Sequence, residues 1–518
     1  MKKSKLLRSL SMLIALLMTL STLTLLPVTS SAEAEFEEVS TAEALHAALE
    51  ANKNVKLTAD ITIPNDGTPD DGNWTPIPTY SGVFDGNGKT ISNLQIKGSG
   101  STMGLGMFKV LDGATVKNLR LDAYLTFTGA SFKTSDVGMN AVLAVMSKGT
   151  TTIQNVYLSG TVSVTATGAG YGYGVAGFVS FVQAGTTSIV GCACAMTMTL
   201  ARHSSPFVAG IKQGAALTLQ DCVFTGSVNA NNGIGIFASR VGGNLTLERC
   251  IDLGKSNDTD NQYQGMLFYL SKDTFATDAA PASWTVPTVA LIDCYLTSTV
   301  ASPVLFGCHA SAKGTYNISV KYGDAAAQTV YSTSDTVLPY TVKGVVEFLT
   351  PETFATAYPA FDGWVVTTDT VNYGGTDPIT KVLPKGIFEM EMAQNVDTEV
   401  FANTQYIQTK ANSNDATATD VRLVTSVAVD EYDEVGYEVY TKYGFAKTVT
   451  TDLYTSILAD GQVVKAEGNG MWLALGIDAI PAGEQDTEVF VRPYVKNGDA
   501  VSYGKTSSFT LNTIQEQD

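Results

Sequence analysis

Seven short segments of this chain are variants of one another, and a chain that repeats itself at this scale is restricted to stacked architectures. They are "TISNLQI" from Thr90, "TVKNLRL" from Thr115, "TIQNVYL" from Thr152, "SIVGCAC" from Ser188, "TLQDCVF" from Thr218, "TLERCID" from Thr246 and "ALIDCYL" from Ala290. Their start-to-start spacings are 25, 37, 36, 30, 28 and 44 residues. A fixed core at variable spacing fits coils of a solenoid, because extra residues between stacked strands form loops at small cost. Between copies falls a second apolar run that ends in a polar or Gly turn, as in "GLGMFKVLDGA", "AVLAVMSKGT" and "VAGFVSFVQAG". A third strand such as "GTVSV" or "GSVNA" follows the first motif, and three strands per repeat predict the three faces of a right-handed parallel β-helix.

Within the first motif the inward parity changes, which locates a corner. In "TLQDCVFTGSV" Cys222, Phe224 and Val228 share one face by strand alternation, whereas Leu219 has the opposite parity. The bend falls at Asp221, and its repeat equivalents are Asn93, Asn118, Asn155, Gly191, Arg249 and Asp293. Most of these tolerate turn dihedrals or hydrogen-bond their own backbone, so Asp221 and Asp293 read as corner residues rather than as a catalytic carboxylate pair. Cys192, Cys222, Cys250 and Cys294 share the first inward site after the corner, where Leu94, Leu119 and Val156 stand in earlier coils. Stacked strands lie about 4.8 Å apart, so a disulfide between neighbours remains open. The lack of metal-ligand spacing or a fixed framework favours free, buried thiols.

A β-helix has unpaired edges at its ends and needs caps. Ser40 and Glu43 form a capping-box pattern and Leu45 and Leu49 lie four apart, which predicts a capping helix at about 41–51. The β-helix is expected over 35–384, with a degenerate last part at 311–384. Residues 385–518 lack Cys and alternate as strands between polar turns, which predicts a C-terminal antiparallel β-sandwich of immunoglobulin-like type.

The chain begins with a basic start, a long apolar run and small residues at Ala32 and Ala34, the pattern of a secretory signal over 1–34 cleaved after one of those alanines. No later apolar stretch reaches membrane-spanning length, so no membrane insertion is expected after cleavage. The formal charge of -18 becomes about -22 once the basic leader is removed, which argues against nucleic acid as a partner. No "HExxH" pair is present for a zinc protease. The acidic stretches "NDGTPDDGN" and "KSNDTDNQ" lack EF-hand spacing, and weak calcium binding is the most they offer.

The segment "VAGFVSFVQAGTTSIVGCACAMTM" resembles the GLUG repeat of bacterial surface proteins, and "WTPIPTYSGVFDGNGKTISNLQI" resembles the entry coils before such repeats. The resemblance covers roughly residues 55 to 310, with Gly191 and Arg249 departing from Asn. It implies a pectin-lyase-like parallel β-helix on a secreted or wall-associated protein, often adhesin-like. "DVRLVTSVAVDEYDEVGYEVY" with "EVFVRPYV" is similar to a module of unknown function in exported proteins of Gram-positive bacteria.

Two functions are therefore expected in competition. The first is a secreted or cell-surface-associated, non-catalytic adhesin that binds extracellular glycans or cell-surface proteins. Its binding candidates are Tyr157 and Tyr295, which share one outward repeat position, and Tyr171 and Tyr173 in "GAGYGYG", since tyrosine faces suit sugar rings. The alternative is a polysaccharide lyase or glycoside hydrolase on the same scaffold, for which no acid/base constellation stands out.

Overall fold

The computed structural model describes residues 35–65, 72–99, 104–130, 140–167, 174–200, 204–230, 234–258, 267–270, 286–296, 306–308, 317–321, 327–331, 364–371, 379–393, 396–397, 400–401, 406–411, 418–441, 446–449, 471–481, 487–510 and 513. The signal segment lies outside them, as do Tyr171 and Tyr173, most of "NDGTPDDGN" and half of "KSNDTDNQ". The chain forms a parallel β-solenoid of about six turns followed by antiparallel sheet. Among the described residues no helix is long and apolar enough to cross a membrane.

The first motif builds one continuous face. Thr115 pairs with Thr152, Thr152 with Ser188, Ser188 with Thr218, Thr218 with Thr246 and Thr246 with Ala290, all in parallel register. Val116, Ile153, Ile189, Leu219, Leu247 and Leu291 point from these strands into the core and are buried. The second motif forms the opposing face through Phe108–Asp112, Ala144–Lys148 and Val179–Val182, and further on through Ala238–Val241, Phe268–Leu270 and Phe306–Cys308. Its inward aromatics stack from coil to coil, with Phe178 and Phe207 at 4.8 Å and Phe207 and Phe237 at 5.0 Å between ring centroids. Gly185 closes the turn between the two faces at φ 74°, where a Cβ would run into the carbonyl of Gly149 one coil below.

Asn118, Asn155, Gly191, Asp221, Arg249 and Asp293 all have φ between 49° and 60°, so each coil turns its corner through one left-handed residue. The first coil departs from the motif alignment. Thr90–Ile91 stacks on Arg120–Leu121, and the strand that lies beneath Thr115–Lys117 is Val83–Asp85. The turn "FDGNG" consequently sits on the Asn118 corner, with the amides of Gly86 and Gly88 donating to the carbonyls of Lys117 and Asn118. Asn93, aligned by sequence with Asn118, is a left-handed corner residue too, at φ 60°, but its strand is shifted in register between Ile91 and Leu94, and Leu94 pairs with Ala123 rather than Leu119.

The N-terminal cap is the helix Ala42–Glu50, with Leu45, Ala48 and Leu49 buried. Its N-cap is Thr41, whose hydroxyl accepts from the Ala44 amide at 3.2 Å, one residue later than the Ser40 pattern predicts. His46 packs edge-on to Trp74 and reaches the Thr75 carbonyl at 2.9 Å, a packing role. At the other end, Asn317–Lys321 adds a parallel strand to Val289–Ile292, and Gln328–Tyr331 pairs with it antiparallel.

The later region differs from the expected boundary at residue 384. Trp364–Val371 and Ile379–Pro384 are strands of a seven-stranded antiparallel sheet that also contains Glu434–Thr441, Ala446–Val449, Val489–Asn497, Ala500–Tyr503 and Ser507–Phe509. A second antiparallel sheet holds Tyr406–Ala411, Ala418–Val427 and Met471–Pro481. The buried Tyr437 hydroxyl bonds Thr425 Oγ1 at 2.7 Å and ties the two sheets together. Between the solenoid and the larger sheet runs a helix absent from the sequence reading, Lys385–Met392.

Candidate functional site

The corner column is a chain of side-chain bonds. Asn155 Nδ2 donates to Asn118 Oδ1 at 3.2 Å, and Asn118 Nδ2 donates to Asp85 Oδ1 at 3.1 Å. Asp85 also accepts from the Asn87 amide at 2.8 Å and pairs with Lys117 at 3.3 Å. Further along, the Arg249 guanidinium grips both carboxylate oxygens of Asp221, at 2.7 and 3.2 Å, and pairs with Glu248. Burial raises the Asp221 pKa and the two hydrogen bonds from Arg249 oppose it. Asp85 and Asp221 thus serve the bend.

Behind the corner, Cys192, Cys222, Cys250 and Cys294 are buried and unbridged. Each thiol lies within reach of two carbonyls, one two residues back and one in the preceding coil: Cys222 Sγ at 3.3 Å from Gln220 O and 3.4 Å from Ile189 O, Cys294 Sγ at 3.3 Å from both Ile292 O and Leu247 O. The carbonyls of Gln220, Glu248 and Ile292 already accept the corner amides of Gly191, Asp221 and Arg249, so the weak S–H donor adds a second bond at the corner. Burial pushes the Cys222, Cys250 and Cys294 thiols well above their ordinary range, which removes them as nucleophiles. Cys194, unassigned by the repeat, is inward in the next column between Leu158 and Phe224, and burial lifts it to about 12. The backbone of Cys308 ends the strand Phe306–Cys308.

One buried acid lies outside the corner. Asp252 stacks on Phe224, an inward position, and its Oδ1 accepts from the Gly254 amide at 2.9 Å. Desolvation raises its pKa to about 7.

The outward column after the corner runs Arg120, Tyr157, Ala193, Val223, Ile251 and Tyr295 by register. Ala193, Val223 and Ile251 are fully buried although they point away from the solenoid core. They form one apolar cluster with Leu253, with Ile387, Phe388, Met390 and Met392 of the helix, and with Val365, Leu383, Tyr440 and Phe490 of the C-terminal sheet. Gly386 sits so close to the Asn155 side chain that a Cβ would have no room. The binding candidate Tyr157 borders this seam: Arg120 lies over its ring at 4.5 Å and pairs with Glu391 at 3.5 Å. Its ring is therefore engaged within the molecule. Tyr295 belongs to the same column by backbone pairing with Ile251.

Beyond the seam, the same sheet face carries a largely buried polar and aromatic network that the sequence does not announce. Arg492 bonds Glu438 and lies 3.6 Å over the Tyr503 ring, and the Tyr494 hydroxyl donates to Glu434 at 2.7 Å. Strand alternation brings these residues together from "EVGYEVY" and "VFVRPYV", which period-2 pairing across the two segments could have flagged. Among the described residues no three His, Cys, Asp or Glu side chains cluster as metal ligands. Set against known proteins, the chain matches no family model and no curated protein.

Proposed function

We propose that this is a secreted or cell-surface-associated, non-catalytic β-helix protein, adhesin-like, that binds extracellular glycans or a surface partner. The observation that carries the reading is the employment of Asp85 and Asp221 in the corner, where Lys117 and two amide donors hold Asp85 and the Arg249 guanidinium holds Asp221. A group so held serves geometry, and a general acid or base needs access to a substrate proton. The GLUG-type resemblance, a right-handed pectin-lyase-like coil and an immunoglobulin-like sandwich for the two C-terminal sheets belong to this same proposal, together with the leader at 1–34.

A glycan array, run beside reducing-sugar and unsaturated-product assays on pectins, xylans and mucins, tests it. Binding without turnover is expected. Turnover that rises linearly with protein dose would replace this reading with a lyase or hydrolase.

A further inference from the structure

The strands that carry the seam continue past a bend into a face that no element among the described residues packs against. Its outward columns are Tyr124, Thr161, Thr197 and Ser227, beside Thr126, Ser163, Thr199 and Asn229, with Thr128 and Thr165 in a third column. Apart from half-buried Ser227, all of these are exposed, while Leu125, Val162, Met198 and Val228 between them are buried. The columns hold no charged residue over these four coils, in a chain with 50 acidic and 32 basic side chains, and a lysine continues them in the coil on each side, Lys97 beside Thr126 and Lys255 beside Ser227. Among the described residues Thr126, Thr161, Ser163, Thr197 and Thr199 have no side-chain hydrogen-bond partner, which leaves their hydroxyls open to a ligand. Backbone pairing on both sides fixes the strands, and β-branching restricts each threonine rotamer.

We propose that this face is a docking surface for a neutral, hydroxyl-rich polysaccharide chain lying across the coils. The proposal rests on the glycan-binding reading above and names the site and the ligand class. A hydroxyl both donates and accepts, as a sugar hydroxyl does, and the threonine methyls offer apolar contact between the polar groups. Tyr124, 39% exposed with its hydroxyl turned to Asp122 at 3.2 Å, supplies one ring for stacking at the edge of the array. A protein partner is disfavoured, because protein interfaces take their affinity from buried aromatic and arginine anchors and this face offers Tyr124 alone. An anionic glycan is disfavoured by the excess negative charge of the chain. Each contact is weak, and affinity comes from repetition along the polymer.

The test is co-sedimentation of the full chain with cellulose, xylan and mannan, with soluble polygalacturonate as the anionic competitor. Two variants are compared with the parent: Thr161→Val with Thr199→Val, which removes hydroxyls and keeps shape, and Thr161→Asp with Thr199→Asp. Unfolding temperature is recorded for each, and either variant suffices if the other fails to fold. The expected result is binding to at least one neutral polysaccharide, unaffected by polygalacturonate and weakened at least tenfold in a variant whose unfolding temperature is unchanged. Binding that survives in folded variants overturns the placement on this face and leaves the glycan reading intact. Competition by polygalacturonate overturns the neutral ligand class. No binding of the parent to any of the three overturns this proposal, and an empty glycan array alongside it overturns the glycan reading as well.

Discussion

Two outward surfaces of the solenoid come from the same strands a few residues apart, and they have opposite chemistry. In Thr150–Thr167, Tyr157 abuts the seam, whereas Thr161, Ser163 and Thr165 face water. Inward residues are dictated by the core. Outward ones are not, so a column that stays apolar through Ala193, Val223 and Ile251 reports that something covers it, and a column of exposed hydroxyls reports that no described residue does.

The largest effect expected from this contrast is at Val223. Val223→Asp places an unpaired carboxylate in the seam and is expected to destabilise the protein by about 4 kcal/mol or more. Chemical denaturation measures it, with limited proteolysis reporting early release of residues 364–509. A loss under 1 kcal/mol would mean that the seam is not a stable contact.

Next in size is a pH effect directly behind the seam. In the unfolded chain the Asp252 carboxyl ionises near 3.9, and in the folded protein it keeps its proton up to about 7. Between these values the folded state holds one more proton than the unfolded state. Its contribution to stability is therefore present below about pH 4 and falls away as pH rises to about 7, by on the order of 4 kcal/mol. Asp252→Asn keeps an acceptor for the Gly254 amide, so the variant is expected to gain stability at pH 8 and to match the parent at pH 4. Equal stability of the two proteins at pH 8 refutes the raised pKa.

Arg120→Ala removes a cation from the Tyr157 ring and from Glu391, both partly shielded, and is expected to cost about 1 kcal/mol. Double-mutant cycles with Glu391→Gln would show whether the pair couples across the seam. The smallest effect sharpens the comparison: Thr199→Asp, the same new charge on the exposed face, should change stability by no more than about 0.5 kcal/mol. If Thr199→Asp costs as much as Val223→Asp, that face is covered after all.

Much of the solenoid was legible because corners have a chemical requirement. A left-handed residue at every bend selects Asn, Asp or Gly, so positions 118, 155, 191, 221 and 293 betray the period even where the strands drift. Arg249 holds the same conformation against preference, and its grip on Asp221 helps to offset that. The first coil misled because "TISNLQI" has the letters of the motif, while register depends on what stacks beneath, and that is Val83–Asp85. The seam was legible in part. Tyr157 and Tyr295 stood out as outward aromatics, but the apolar residues between them were the stronger sign. The helix "KGIFEMEM" escaped because it is buried on two sides: Ile387, Phe388, Met390 and Met392 face both solenoid and sheet, so no single apolar stripe marks it. The hydroxyl face left no mark in a repeat search, because alternating Thr and Ser is what any solvated strand can show.

The seam also decides how this molecule carries load. A solenoid held by its last rung would unravel coil by coil when its C-terminus is pulled, each strand peeling from the next. Here the helix packs on the strands Thr115–Ala130 and Thr150–Thr167, and Ala193, Val223 and Ile251 of the next three coils join the same apolar cluster with helix and sheet. Tension from the later sheets enters the solenoid through its flank and is shared among those coils in shear, so the first event under force is the parting of the seam, with the stacked coils still intact.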